Sequence, residues 1–402
     1  MSTPPVGVGI VGAGFLAATR ARCYARVQST RVKIAGVTSK TPAHAESYAR
    51  EHGVPAVFAD LDEMLASEEV QVVDLCVPNL LHRPMAEQAA RAGKHVICTK
   101  PLSAYVGQDL GDDPSDEQVS ATDRGTMLEV ARADAQAMVD AAAAAGVQLM
   151  YGENWVYAPS IVRAEKLVCA SKGAILEMRG WEGHNGSHSP YSKIWRYTGG
   201  GALLRLGAHP LGAMVYLKRV EGLARNGAPI RPVALSAEVT DLTRGPALSE
   251  ELTHVATGWK DVENWGCAIV HFEDGSRGVA YGSDTILGGM ESKLEVYASN
   301  HHLKCNLSPN DLLRAYAPNA DVFGDEYIME KVDSGAGWST PIPAEDWSSG
   351  QLHMIEDFVQ AVAEDRPARS DGQLGLEITE LVYAAYLASA EGRRVELAST
   401  RT

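Results

Sequence analysis

Two rhythms of apolar and polar positions run along this chain. Over residues 1–152, short runs that are apolar throughout alternate with stretches of helical spacing. Val6–Val11, Val32–Val37, Ala56–Phe58, Val70–Val77 and residues 94–98 and 148–152 read as strands buried on both faces. Between them Ala18–Val27, Thr41–His52, Leu61–Ser67, His82–Ala92 and Thr126–Ala145 read as helices. Such alternation predicts a parallel, doubly wound sheet. After one more helix, Ser160–Ser171, the rhythm shortens to every second residue. Residues 174–181, 233–242, 265–272, 276–281 and 294–298 follow it and predict a large, open, mostly antiparallel sheet. Helices over Gln351–Ala363 and Leu374–Ala390 close the chain. The expected fold class is therefore α/β, with a first domain over 1–152 and a second over 153–402, the final helix being able to pack back on the first.

A chain of 402 residues is long enough for two domains, and 45% hydrophobic content supports a large core. The net charge of −15 argues against a nucleic-acid partner, which needs a basic face. No apolar run reaches the roughly 20 residues that span a bilayer. The first residues run straight into a strand without a leader pattern, so a cytoplasmic location is expected. The six cysteines form no CxxC pair, so neither a disulfide framework nor a metal site is expected. Residues 104–126 break the pattern with a crowd of aspartates, and they read as a solvated, partly disordered loop or as a lid or assembly arm.

Three stretches carry chemistry. The first is Gly12-Ala-Gly14-Phe15-Leu16-Ala17, between a strand and a helix. This G-x-G-x-x-A order suits a dinucleotide: Gly12 permits the tight turn, Gly14 lets a pyrophosphate approach, and the helix start supplies N–H groups. The second strand ends without the carboxylate that grips a ribose 2′-hydroxyl. Ser39 and Lys40 stand there, which tilts the reading from NAD toward NADP, although Lys40 could equally serve as a solvated turn residue. The second stretch ends in Thr99-Lys100-Pro101, where the proline keeps Lys100 out of the helical region and so aims its ammonium. Gly12, Ser39, Pro78, Asn79 and Lys100 all fall at the carboxyl ends of expected strands, where ligands of such sheets bind.

The third stretch is Gly199-Gly-Gly-Ala-Leu-Leu-Arg205-Leu-Gly-Ala-His209. Arg205 and His209 are four residues apart and would share one helix face. His209 reads as a proton acceptor or as a buried structural histidine; Arg205 as a substrate ligand or as a salt-bridge partner. The loop before it holds His184, His188, Lys193, Trp195 and Arg196. Its cations in an acidic protein suggest a substrate carrying a carboxylate, sulfonate or phosphate.

With these residues in view, the chain resembles the Gfo/Idh/MocA family of NAD(P)-dependent sugar oxidoreductases. The resemblance rests on the glycine motif, Pro78-Asn79-x-x-His82, Lys100-Pro101, Asn154 with Tyr157 and Pro159, the triple glycine through His209, and Asp371-Gly-x-x-Gly-Leu-Glu-Ile with Ser389-Ala-x-x-Gly392. It implies a Rossmann domain followed by an α/β substrate-binding and assembly domain, commonly in homodimers or homotetramers. It implies catalytic roles for Lys100 and His209, and a substrate site including Arg205, Asn154, Tyr157, His184, His188, Lys193 and Arg196. The cofactor would meet Gly12, Gly14, Phe15, Leu16, Ser39, Lys40, Pro78, Asn79, His82, Thr99 and Lys100. Three positions depart from the family pattern: its usual aspartate is Arg205, the glutamate before the lysine is Thr99, and a frequent arginine is Val156. Three functions follow. One is a dehydrogenase or reductase of a sugar secondary hydroxyl. The second is a redox-neutral glycosidase that oxidises, eliminates, adds water and re-reduces, acting on anionic glycosides such as sulfoquinovosides or glucuronides with tightly held NAD. The third is a non-catalytic nucleotide-binding regulator.

Overall fold

A computed structural model describes residues 4–397 apart from 188, 247, 249–251, 310 and 333. The chain divides into two compact units that interleave along the sequence instead of meeting at one boundary. One comprises residues 1–104, 130–157 and 350–379, the other 105–129, 158–349 and 380–402.

The first unit is built on five parallel strands, β1 (Val6–Val11), β2 (Val32–Thr38), β3 (Val72–Leu75), β4 (His95–Thr99) and β5 (Leu149–Gly152), in the order β2-β1-β3-β4-β5. β1, β3 and β5 are buried along their whole length, as a sheet covered on both faces requires. The expected strand at Ala56–Phe58 is instead a single bridge between Val37 and Val57, so residues 148–152 form the fifth strand and not the sixth. The helix Gln351–Glu364 returns to this unit. Gln351 accepts a hydrogen bond from the buried Arg20, and Asp357 accepts one from Tyr157. Arg20 also pairs with Asp74 inside the sheet, where Tyr24 donates to the same carboxylate at 2.9 Å. Burial pushes the Asp74 carboxyl up and the Arg20 guanidinium draws it back.

The second unit carries a seven-stranded mixed sheet, order β11-β10-β6-β9-β8-β7-β14. Its strands are β6 (Ile175–Gly183), β7 (Pro232–Thr240), β8 (Trp265–Phe272), β9 (Arg277–Ser283), β10 (Glu291–Ala298), β11 (His302–Ser308) and β14 (Val395–Glu396), with β12 (Ala315–Ala317) and β13 (Gly337–Ser339) forming a separate ribbon. Only β6 and β9 run parallel; the other neighbours are antiparallel. β11 and β14 escape the sequence reading, the first because His, Lys, Cys and Asn blur its alternation, the second because it is two residues long.

Glycines seat the helical segment 202–226 flush on this sheet. A Cβ on Gly180 would lie 2.7 Å from Pro210 Cβ, and one on Gly282 would lie 2.3 Å from the Ala202 carbonyl oxygen. The acidic stretch is ordered, contrary to the loop expectation. Ser115 and Gln118 form a reciprocal capping box that starts the helix Asp116–Ala121, and Tyr105 and Val119 are buried. Lys260 pairs with Asp116 and Glu117, and Arg196 with Asp113.

Candidate functional site: a nucleotide edge and a histidine–carboxylate cluster

The first unit presents its chemistry at the carboxyl ends of the strands. Gly12 has φ +103°, and a Cβ there would sit 2.2 Å from the Cys76 carbonyl oxygen, so only glycine passes. A Cβ on Gly14 would meet nothing within 4 Å, which leaves open space in front of the helix Phe15–Tyr24. No side chain caps that helix, and Phe15 is exposed beside it. Open space, an uncapped helix start and a tight glycine turn are what a dinucleotide pyrophosphate needs, so these residues fit the cofactor. Leu16 and Ser39 are half-buried, and Lys40 and Pro78 are exposed. Thr99, Lys100 and Asn79 are partly exposed at their strand ends, and the Lys100–Pro101 peptide is cis.

His82 has a different place from the one expected. It is fully buried, with Nδ1 2.9 Å from the Pro101 carbonyl and Nε2 3.1 Å from the Val77 carbonyl. Burial pushes its imidazole below the usual histidine range. His82 therefore ties the turn after β3 to the Lys100–Pro101 turn and positions Lys100 without facing a ligand. Tyr157 is corrected in the same way. Its hydroxyl donates to Asp357 at 2.9 Å and accepts the Ser370 N–H at 2.8 Å inside the first unit. Asn154 begins the same buried turn.

The second unit gathers the other chemical groups. The segment Leu203–Gly207 is a π-helical turn running straight into the helix Ala208–Asn226, so Arg205 lies on a widened turn and not on a regular α-helix. The Arg205 guanidinium forks onto Asp284, a carboxylate with no exposed surface just after β9, and lies 5.4 Å over the Trp259 ring. Burial pushes the Asp284 carboxyl up, and Arg205 draws it back. His184 is 3.5 Å from Asp284, but its Nδ1 accepts the Gly186 N–H at 2.9 Å. Its proton therefore sits on Nε2, and the Asp284 contact is not a hydrogen bond. His209 is buried with Nε2 3.8 Å from Glu182 Oε1, and Ser292 donates to the other oxygen of Glu182 at 3.3 Å. Lys193 donates to the Thr257 carbonyl at 2.5 Å and Lys331 to the Gly186 carbonyl at 3.1 Å.

His184, Lys193, Arg205 and His209 thus belong to connected parts of one unit. Arg196 does not join them. It pairs with Asp113 and Asp116 in the acidic stretch. His188 lies outside the described residues. Glu182 and Asp284 went unread in the sequence. Two buried acids at strand ends, each beside a glycine-rich turn, were the available signal. Among the described residues no group of three or more acids, histidines or cysteines is set to hold a metal, and no helix is long and apolar enough to cross a membrane.

Comparison with known proteins agrees with this anatomy. Residues 6–110 match the Gfo/Idh/MocA model, an oxidoreductase family with an NAD-binding Rossmann fold. Levoglucosan dehydrogenase of Pseudarthrobacter phenanthrenivorans is 26% identical over 395 residues, 91% of this chain and 92% of the relative. The NADP-dependent D-xylose 1-dehydrogenase 2 of Haloferax volcanii is 28% identical over 152 residues, 38% of this chain and 39% of that one. Among solved structures, GenD2 from gentamicin A biosynthesis, in complex with NAD, is 25% identical, covers 99% of this chain and 98% of its own, and superposes with a TM-score of 0.77. The match to the Gfo/Idh/MocA family thus lies in the Rossmann unit, and the likeness to levoglucosan dehydrogenase and to GenD2 runs along nearly the whole chain.

Proposed function

We propose that this protein is an NAD(P)-dependent dehydrogenase acting on a secondary hydroxyl of an uncharged sugar or sugar derivative. The observation that carries the reading is the buried His209 beside the Glu182 carboxylate. A bound nicotinamide would supply the acceptor for the hydride that leaves the carbinol carbon. The hydroxyl of that carbon must lose a proton at the same time, which calls for a positioned base. His209 is the base in this reading. Lys100, at the nucleotide edge of the first unit, offers a positive charge of the kind that stabilises an alkoxide. Arg205 is held by Asp284, so it offers the substrate hydrogen-bond donors of a neutralised pair and not an open anion site. Ser39 and Lys40, in place of a carboxylate, support acceptance of NADP beside NAD.

A substrate bearing an anionic group is the second reading. It is favoured by Lys193 and Lys331, whose ammonium groups donate to backbone carbonyls. The relatives named as levoglucosan and xylose dehydrogenases support neutral sugars for the first assays. The test is reduction of NAD and of NADP with neutral aldoses, anhydrosugars, glucosides and glucuronides, wild type against Lys100→Met and His209→Asn. Sugar-dependent reduction by wild type, lower by a hundredfold or so in each variant, supports the reading. Preference for uronides over their neutral counterparts would favour the second reading. Release of aglycone without reduced nicotinamide would instead make the protein a redox-neutral glycosidase. Tight cofactor binding with no turnover of any sugar would make it a nucleotide-binding regulator.

A further inference from the structure

We infer that Glu182, reaching from the sheet, is the positioning residue of His209. The inference rests on the proposed dehydrogenase reading and adds to it a residue from another element.

The geometry is fixed on both sides. Glu182 is the next-to-last residue of β6, opposite Gly282 of the parallel strand β9 and opposite Ser292 of the antiparallel strand β10. Ser292 is also the residue whose hydroxyl donates to its carboxylate, at 3.3 Å, so strand register and side-chain hydrogen bond agree. Glu182 is 6% exposed and His209 is 9% exposed, so their attraction acts in a partly desolvated setting, where charges are felt more strongly than in water. The helical segment bearing His209 packs closely against the strand bearing Glu182. Gly180 on β6 and Gly282 on β9 are the points where that segment touches the sheet, and a Cβ at either would strike it within 3 Å. A histidine and a carboxylate held by two rigid elements are better aligned than a pair on loops.

The chemistry is that of a carboxylate behind a histidine. When His209 accepts the proton of the carbinol hydroxyl, the O–H bond breaks, an N–H bond forms, and the imidazole becomes a cation. A carboxylate 3.8 Å from Nε2 is beyond hydrogen-bond reach but close enough to offset the new charge. The other charged groups of the cluster, Arg205, Lys193 and Lys331, are positive and would oppose an imidazolium. Asp284 is engaged by Arg205, and Glu263 by the N–H groups of Gly201 and Leu203. Glu182 is the carboxylate that the described ion pairs place beside His209.

Glu182→Gln keeps the shape and an acceptor for Ser292 but removes the charge. The test measures kcat and KM with the best sugar of the panel, the affinity for reduced nicotinamide by fluorescence, and the melting temperature. It uses wild type, Glu182→Gln, Glu182→Asp, His209→Asn and the double variant Glu182→Gln/His209→Asn. The expected result is a kcat for Glu182→Gln about ten- to a hundredfold down, with KM within threefold and nucleotide affinity and melting temperature unchanged. Glu182→Asp recovers part of the loss, and the glutamine change costs nothing further once His209 is asparagine, because residues acting as one unit are not additive. Wild-type kcat in Glu182→Gln overturns the inference, as does a loss that is fully additive with His209→Asn. Failure of wild type to oxidise any sugar would fall on the proposed function instead.

Discussion

At the scale of single residues, the cluster in the second unit depends on acids that are buried and held. Glu263 is one of them. It is fully buried and accepts hydrogen bonds from the N–H groups of Gly201 and Leu203 at 3.0 Å each, and from the Tyr386 hydroxyl at 2.9 Å. It thereby satisfies the start of the helical segment that leads to Arg205 and His209. Burial pushes its carboxyl above the usual range despite these donors. The linkage has a definite sign. A raised acid binds its proton more tightly when folded, so its contribution to stability is complete below the unfolded value and declines as pH rises through the folded one. Glu263→Gln removes that decline. The melting temperature of wild type minus that of the variant should therefore shrink as pH rises above the ordinary glutamate value of about 4.3. A difference that stays constant or grows over that range would show that Glu263 is not held above its ordinary value.

At the scale of elements, the π-helical turn, its seat on the sheet and the strand register act together. Gly282 shows the tolerance. A methyl there would meet the Ala202 carbonyl oxygen at 2.3 Å and the Gly207 nitrogen at 2.7 Å, both backbone atoms that cannot swing aside. Gly282→Ala should destabilise the protein by about 1–3 kcal/mol and lower kcat, since the turn that moves carries Arg205 and leads into His209. Thermal melts and steady-state rates check both, and a variant with wild-type values in each would mean the segment does not rest on β9. Much of this level was readable in the sequence. The glycine motif, the lysine before Pro101 and the triple glycine each announce a backbone that must turn or come close, because glycine and proline act locally. Glu182 and Asp284 were not readable. They meet His209 and Arg205 only because β6 and β9 lie side by side and parallel, and periodicity does not specify strand order. Tyr157 and His82 were misread for a related reason. Their partners are buried groups from distant stretches, Asp357 and Ser370 for the one and the Pro101 turn for the other.

At the scale of the whole molecule, alternation gave the parallel sheet and the mixed sheet but not the way the chain shares itself between units. Residues 350–379 rejoin the first unit after the long excursion through the second. That return follows from side-chain pairings such as Arg20 with Gln351, which no local pattern foretells. Of the arginines that the sequence offered beside the site, Arg196 and Arg205 are both answered by carboxylates of their own unit.

The central claim is net oxidation of a sugar hydroxyl, and the stoichiometry of one closed reaction tests it most directly. Purified protein would be incubated with NAD or NADP in excess and its best sugar, and reduced nicotinamide and keto-sugar would be counted together as the reaction runs. We predict one reduced nicotinamide for each sugar oxidised, over many turnovers. Many turnovers of sugar with no accumulated reduced nicotinamide would contradict the account.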